Sequence, residues 1–383
     1  MPVPLENNLN KSSFYLVCLR YTPAMWQHMA SFAASLLKRG YGVRFLISPE
    51  YRWMAEGSFD GMIHYSYAPN GRFSQLRKAL SSFWLPWGSC RKLFSQHPAS
   101  GVLLASWHPM NVFLAGLAKA ACPGAPVIAW LHEPYKDEKK VYGAKAVIIY
   151  LVEFFQTLSL RYADAVILFS RRALRLFRQR YPNFRGLDRM APLPYRDEPA
   201  LAGKPRRYIS FLGRADRAKG IDLFFALVDR LGQNNLDFEF QIVTSSDIQR
   251  RLEALSPRAR QQLRVVNKPR ISDAEIREGA AESLAVLALY KETTQSGLIP
   301  VALMQGTPLI GTDIEGITEW LRPGETGVMV SAEPTLEELK GAIDYVLVHF
   351  HEMTGHCRAA YLDTFDDRNW DRQYGWLPGM LQE

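Results

Sequence analysis

The sequence predicts an α/β protein of two Rossmann-like domains facing a cleft. Three observations predict it. Short apolar runs alternate with helix-length amphipathic segments along the chain. The alternation breaks at "APLPYRDEPALAGKPRR" (191–207), rich in proline and charge, and then restarts. A length of 383 residues with 48% hydrophobic composition is ample for two cores and long for one domain.

The elements follow in order. "FYLVCL" (14–19) reads as a strand, and "WQHMASFAASLLKRG" as a helix closed by Lys38, Arg39 and Gly40. "GVRFLI" (42–47) completes one βαβ unit. Further strands are expected at 101–106, 126–131 and 164–170. Beyond the linker, "YISFLG" (208–213) is a strand, and Ile221, Phe224, Phe225, Val228 and Leu231 mark one face of a helix. "FEFQIVT" (238–244), "SLAVLAL" (283–289) and "PLIGT" (308–312) extend the second sheet. The aromatic residues of "FDDRNWDRQYGWL" near the C-terminus fall close to helical spacing.

Composition narrows the function classes. The net charge of +8 asks for an acidic partner: nucleic acid, anionic lipid or a phosphorylated small molecule. No nucleic-acid module is recognisable, so nucleic acid is excluded. Cys18, Cys90, Cys122 and Cys357 are scattered, without metal-type spacing, and point to a reducing compartment. The N-terminus has no basic-then-apolar signal segment, and "AVIIYLV" (146–152) is far short of the roughly 20 residues that span a bilayer. A cytoplasmic protein, or one peripheral on the inner face of the membrane, is expected.

Ligands of open α/β sheets bind beyond the carboxyl ends of strands, so the post-strand loops hold the candidate residues. "GRADRAKGID" (213–222) offers Arg214 and Lys219 in one turn-rich loop that opens a helix. Two cations beside free helix N–H groups suit a diphosphate; a solvated basic loop is the alternative. "YKETTQSGL" (290–298) follows a strand and leads into a helix from about Leu298. Thr294, Gln295, Ser296, Gly297 and Leu298 would present neutral donors and the four unpaired N–H groups of the first turn to an anion; an ordinary capped helix is the alternative. "GTDIEGITEWL" (311–321) is a third such turn, with Gly316 and Glu319.

Together with "RPGETGVMVSAEPTLEELKGAI", these stretches resemble the C-terminal half of retaining family 4 glycosyltransferases of GT-B architecture, over roughly residues 207 to 345. "LLKRGYGVRFLI" and "YADAVILFSRRALRLF" resemble steps of that family's N-terminal domain. The resemblance implies that Arg214 and Lys219 hold the donor diphosphate and that the Ser296-Gly297-Leu298 backbone cradles the distal phosphate. It implies that His132, in "WLHEPYK", contacts the transferred sugar, and that Arg270 and Ile271 lie where the nucleotide base is seated. His108, in "SWHPMN", is a weaker candidate and reads as a packing residue.

One departure stands out. The family's paired glutamates, eight residues apart, are absent here. The second falls at Val301 or Ala302, and the first near Thr293 or Thr294 with Glu292 adjacent. This chain resembles members with a Gln-Ser-Gly loop, so the roles of Glu292 and Glu319 stay open.

The implied domains are 1–195 on the acceptor side, a linker at 196–206, a nucleotide-sugar domain at 207–360 and a C-terminal helix at 361–383 that crosses back. Catalysis needs fixed positive charge where the diphosphate departs, and Arg214, Lys219 and helix dipoles supply it without a metal or other cofactor. No protein base is required for retention. His132, with an ordinary imidazole pKa near 6.5, could donate to the sugar or take a proton.

Residues 74–94 mix Arg77, Lys78, Arg91 and Lys92 with Phe83, Trp84, Leu85, Trp87 and Phe94, and "SRRALRLFRQRY" (170–181) adds five arginines. Both suit an anionic membrane surface; core-facing helices with solvated charge are the alternative. The expected partners are therefore a nucleotide-diphosphate sugar and a saccharide or lipid-linked acceptor, as in cell-surface polysaccharide assembly. An inverting transferase of the same architecture and a catalytically inactive sugar-nucleotide-binding or scaffold subunit are the rival readings.

Overall fold

The computed structural model describes residues 12–22, 25–66, 91–135, 146–199 and 205–381. They fall into two units, each built on its own parallel sheet.

The first unit holds the chain up to Pro194 and from Trp370 onward. Its strands are β1 (Ser13–Cys18), β2 (Gly42–Ile47), β3 (Ile63–Tyr65), β4 (Ala99–Leu104), β5 (Val127–Leu131), β6 (Ala165–Leu168) and β7 (Leu187–Met190). They lie in the order β3-β2-β1-β4-β5-β6-β7, all parallel. Strands β1, β5 and β6 are buried at every residue, so their apolar runs are continuous rather than alternating.

The longer helices of this unit are α1 (Met25–Lys38), α2 (Asn111–Ala121), α3 (Ala146–Leu160) and α4 (Arg171–Arg180). Right-handed crossovers from β4 to β7 place α2, α3 and α4 on one face, and the opposite step from β1 to β2 places α1 on the other. Phe32 of α1 packs against Phe14, Trp130 and Trp370, with ring centroids 6.1, 5.2 and 4.5 Å apart. On the other face, Leu114, Ala115 and Ala118 of α2 share a core with Tyr15, Val17 and Val102.

The second unit, Tyr195–Asn369, contains β8 (Tyr208–Leu212), β9 (Glu239–Thr244), β10 (Leu263–Asn267), β11 (Ser283–Ala288), β12 (Leu309–Thr312) and β13 (Gly327–Val330). Their order is β10-β9-β8-β11-β12-β13, again parallel throughout. Its main helices are α5 (Ile221–Leu231), α6 (Asp273–Ala281), α7 (Leu298–Met304) and α8 (Leu336–Thr364). The α5 face read from the sequence is the buried one, and it meets Phe211 and Phe240.

The described part of 191–207 is bonded to the second unit. Asp197 pairs with Arg358 (2.7 Å), Glu198 with Arg277 (2.8 Å), and Arg206 donates to Thr307 (2.7 Å).

The C-terminus differs from the single helix expected over 361–383. Helix α8 runs to Thr364; a 3₁₀ turn (Asp367–Asn369) and two short helices, Trp370–Tyr374 and Leu377–Leu381, follow. The buried Asp366 carboxylate accepts from the Arg368 amide (2.8 Å) and guanidinium (2.7 Å), a local bond that competes with helical continuation. Beyond it Trp370, Tyr374 and Leu377 are buried, and the Tyr374 hydroxyl donates to the Pro192 carbonyl at 2.9 Å.

Candidate functional site

In the second unit the loops after β8, β11 and β12 are tied to one another. The loop after β8 makes a 3₁₀ turn, Arg217–Lys219, capped by Asp216, whose side chain accepts from the Lys219 amide at 3.0 Å. The other Asp216 oxygen lies 2.6 Å from Arg214 Nε. One carboxylate therefore orders both cation-bearing residues. Arg214 remains 71% exposed in its side chain, so its guanidinium can exchange Asp216 for a ligand.

The turn ends at Gly220 with φ +78°, and a Cβ there would fall 2.2 Å from the Leu289 carbonyl oxygen. Only glycine lets this backbone rest on the end of β11. The Lys291 amide then donates to the Ala218 carbonyl (2.9 Å), closing the two loops together.

Tyr290 is the joint between them. Lys219 Nζ sits 3.5 Å from the centre of its ring. Its hydroxyl accepts from Ser296 Oγ at 2.8 Å, and its carbonyl accepts from Thr312 Oγ1 at 2.6 Å. Sequence alone signals Tyr290 only by its place between a buried strand and Lys291.

The start of α7 offers less than the four unpaired N–H groups expected. The Leu298 amide donates to Ser296 Oγ (3.3 Å), the Ile299 amide to the Ser296 carbonyl (3.3 Å), and Pro300 has no N–H. The donors this turn can offer are the amides of Ser296 and Gly297. Thr294 and Ser296 are buried, and Gln295 and Gly297 half-buried. The Gly297 carbonyl accepts from the Tyr195 hydroxyl at 3.1 Å.

Glu292 is exposed, and Glu319 is half-buried at the end of a short helix, Glu315–Thr318. Val301 and Ala302 are buried core residues, so no acid stands where the resemblance would place one. Arg270 (exposed) and Ile271 (half-buried) lead into a capping box in which Ser272 and Glu275 close the first turn of α6. That helix packs on α7. Its Asp273 carboxyl is pushed up by burial, against the pull of Arg277.

In the first unit His132 follows β5 and lies against Phe169, ring centroids 4.6 Å apart. Burial, then the nearby charge of His28, pushes its pKa down to about 3. The expectation that it could take either protonation state is thereby corrected: His132 is a neutral imidazole at neutral pH. His108 is pushed down to about 4 by burial and then by Arg20, and its Nδ1 accepts from the Met110 amide at 3.2 Å, a local turn bond.

Of the candidate membrane residues, Arg77, Lys78, Trp84 and Trp87 lie outside the described residues. Arg91 and Lys92 are exposed. Phe94, expected to face lipid with them, is instead buried edge-on against Tyr15 at 4.9 Å.

This arrangement, two cations and two amides held beyond the carboxyl ends of parallel strands, sits inside a recognisable segment. Residues 206–349 match the family of glycosyl transferases group 1.

The fold of the whole chain agrees with that domain. It is similar to Anabaena HepE, solved in complex with UDP (TM-score 0.69, 13% identity, 96% of this chain and 99% of that one). It is similar to the pneumococcal O-GlcNAc transferase GtfA, solved with UDP and GlcNAc (0.74, 10%, 98% and 100%). It is also similar to sucrose-phosphate synthase from Thermosynechococcus elongatus (0.73, 15%, 97% and 99%). At these identities the likeness establishes the fold, which is the two-domain GT-B architecture. A comparison with curated protein sequences finds no match. The tied loops thus lie within the segment that matches glycosyl transferases group 1, and His108 and His132 lie in the other unit of the fold.

Proposed function

We propose that this protein is a glycosyltransferase that moves a sugar from a UDP-sugar to a saccharide acceptor, with retention at the anomeric carbon and without a divalent metal. The observation that carries the reading is the convergence of Arg214, Lys219 and the Ser296–Gly297 turn at the carboxyl ends of β8 and β11, within the segment that matches glycosyl transferases group 1. The UDP found with HepE and GtfA supports the donor class.

Bond breaking leaves negative charge on the departing diphosphate. Arg214 meets it with a bidentate fork, Lys219 with a point charge, and both stand ready before the reaction begins. His132, being neutral, serves as a hydrogen-bonding group to the sugar rather than as a proton source. Its pKa leaves activity independent of His132 ionisation between about pH 5 and 8. A saccharide carried on a lipid is the acceptor class that fits the basic character of the chain.

The test is nucleoside-diphosphate release and transfer by purified protein with UDP-, GDP- and ADP-sugars, with thermal shifts for the free nucleotides. Arg214→Ala and Lys219→Ala should each lower kcat/KM for donor by on the order of a hundredfold while leaving the melting temperature intact. Unchanged kinetics in both variants removes the diphosphate assignment. Binding without transfer or hydrolysis makes the chain an inactive subunit. A product of inverted anomeric configuration refutes retention, and loss of activity in EDTA refutes metal independence.

A further inference from the structure

Gly297 is a glycine that its backbone does not require. Its φ and ψ are −65° and −15°, in the right-handed region that any residue adopts. Apart from its own chain neighbours, a Cβ there would meet one atom within 4 Å: the Tyr195 hydroxyl oxygen, at 2.9 Å. That is too close for a Cβ, so the missing side chain leaves room for the hydroxyl. The hydroxyl in turn donates to the Gly297 carbonyl at 3.1 Å, across 102 residues of sequence.

The tyrosine has little freedom to step aside. Tyr195 is 2% exposed. Its amide donates to the Phe365 carbonyl at 3.1 Å, and its carbonyl accepts from the Asp367 amide at 3.0 Å and from the Tyr361 hydroxyl at 3.1 Å. Two residues on, Asp197 is held by Arg358. Burial, then the charge of Asp273, pushes the phenol's pKa up, so it stays a donor. A phenylalanine would fill the same space with no polar atom to desolvate, and an alanine at 297 would stiffen the turn. The chain forgoes both, and what it keeps is the setting of one peptide group.

That peptide group belongs to the loop after β11. The preceding residue, Ser296, donates through Oγ to the Tyr290 hydroxyl at 2.8 Å, and the Tyr290 ring lies 3.5 Å from Lys219 Nζ. A line of contacts therefore runs from a fixed, buried phenol to an ammonium group: Tyr195, Gly297, Ser296, Tyr290, Lys219.

We propose that Tyr195 is a positioning residue for donor binding: its hydroxyl sets the Gly297 carbonyl, and with it the loop from which Ser296 and Tyr290 seat Lys219. It touches no reacting atom and acts through that loop. The proposal deepens the reading of Lys219 as a ligand of the donor diphosphate and rests on it.

The experiment is a double-mutant cycle on the full chain, with Tyr195→Phe, Gly297→Ala and the two combined. It reads calorimetric Kd for whichever of UDP, GDP and ADP the parent binds, Kd for the matching monophosphate, and melting temperature. Tyr195→Phe should weaken the diphosphate roughly threefold or more, through loss of one hydrogen bond. Gly297→Ala alone should weaken it roughly tenfold or more, because the Cβ drives the turn off the hydroxyl. Added to Tyr195→Phe, the same alanine should weaken it by no more than about twofold further, because the atom it met is gone. The monophosphate should lose less than about twofold in each variant, whereas a role in packing alone lowers the melting temperature and moves both nucleotides together. Equal effects of Gly297→Ala with tyrosine and with phenylalanine at 195, unchanged diphosphate affinity in both single variants, or equal losses for mono- and diphosphate overturn the proposal. A parent that binds none of the three diphosphates overturns the donor reading and the positioning role with it; a parent that binds, with uncoupled variants, overturns the positioning role alone.

Discussion

Tyr290 shows how one side chain can hold two post-strand loops in register. Its ring neutralises none of Lys219's charge but fixes the ammonium in place, and a cation over an aromatic face is worth about 1–2 kcal/mol when partly desolvated. Its hydroxyl holds Ser296 in the next loop, a bond worth about 1 kcal/mol. The two parts can be separated. Tyr290→Phe keeps the ring under Lys219, and kcat/KM for donor should fall by no more than about fivefold. Tyr290→Leu loses both, and the fall should reach roughly tenfold to a hundredfold, with the phenylalanine variant as the partial rescue. Steady-state kinetics over donor concentration reads the difference. If leucine performs as well as tyrosine, Lys219 is positioned by its own loop and Tyr290 is packing. That Arg214 and Lys219 share one turn-rich loop after a strand was legible in the sequence, because glycines flank the charges there. Tyr290 was not, because its partners come from residues that only the fold brings near.

The elements were legible in proportion to their burial. Every strand buried on both faces, from β1 to β12 at the centres of the two sheets, was visible as an apolar run. The strands the sequence reading did not anticipate, β3, β7, β10 and β13, are the four sheet edges. Two of these carry charge on a wet face and lose the pattern, as in the alternately exposed Leu187–Met190, and the other two, Ile63–Tyr65 and Gly327–Val330, are only three and four residues long. Glycine gives the sharpest test at this scale. A Cβ at Gly316 would lie 2.2 Å from the Thr293 carbonyl, where the loop after β12 presses on the loop after β11. Gly316→Ala should therefore push those loops apart and weaken UDP binding at least tenfold, with a lowered melting temperature. Gly341 sits mid-helix in α8 with nothing within 4 Å of its would-be Cβ. Gly341→Ala should raise stability by about 0.5–1 kcal/mol and leave UDP binding unchanged. Calorimetry with and without UDP compares them, and equal effects of the two substitutions would sink the close-packing account of the site.

Across the whole molecule, the perturbed histidines are gathered in one unit. Burial pushes His28 and His108 down to about 4 and His132 to about 3. Burial and then the Arg44 charge lower His64 and His97, whose ring nitrogens lie 3.2 and 3.0 Å from the buried guanidinium of Arg44. All five belong to the first unit. Each is neutral when folded and takes a proton on unfolding below its ordinary pKa of about 6.5. Their contribution to stability is therefore complete above about pH 6.5 and is lost as pH falls through the folded values. The loss runs at about 1.4 kcal/mol per proton per pH unit, roughly 3 kcal/mol from the buried His28 alone by pH 4. In the second unit the lowered groups are carboxylates: Asp222 beside Arg251, and Glu275 bonded to Lys268. Their contribution is present above the ordinary carboxylate range and is lost only below about pH 4. Acid should therefore unfold the first unit before the second. Trp320 is the only tryptophan between Tyr195 and Asn369, so indole fluorescence reports chiefly on the first unit and far-ultraviolet circular dichroism on both. The fluorescence transition should fall between about pH 6 and 4, with the dichroism retaining a second, more acidic step. One coincident transition in both probes, or stability unchanged from pH 7 to 5, would mean that the neutral histidines are not what makes the first unit the acid-sensitive half.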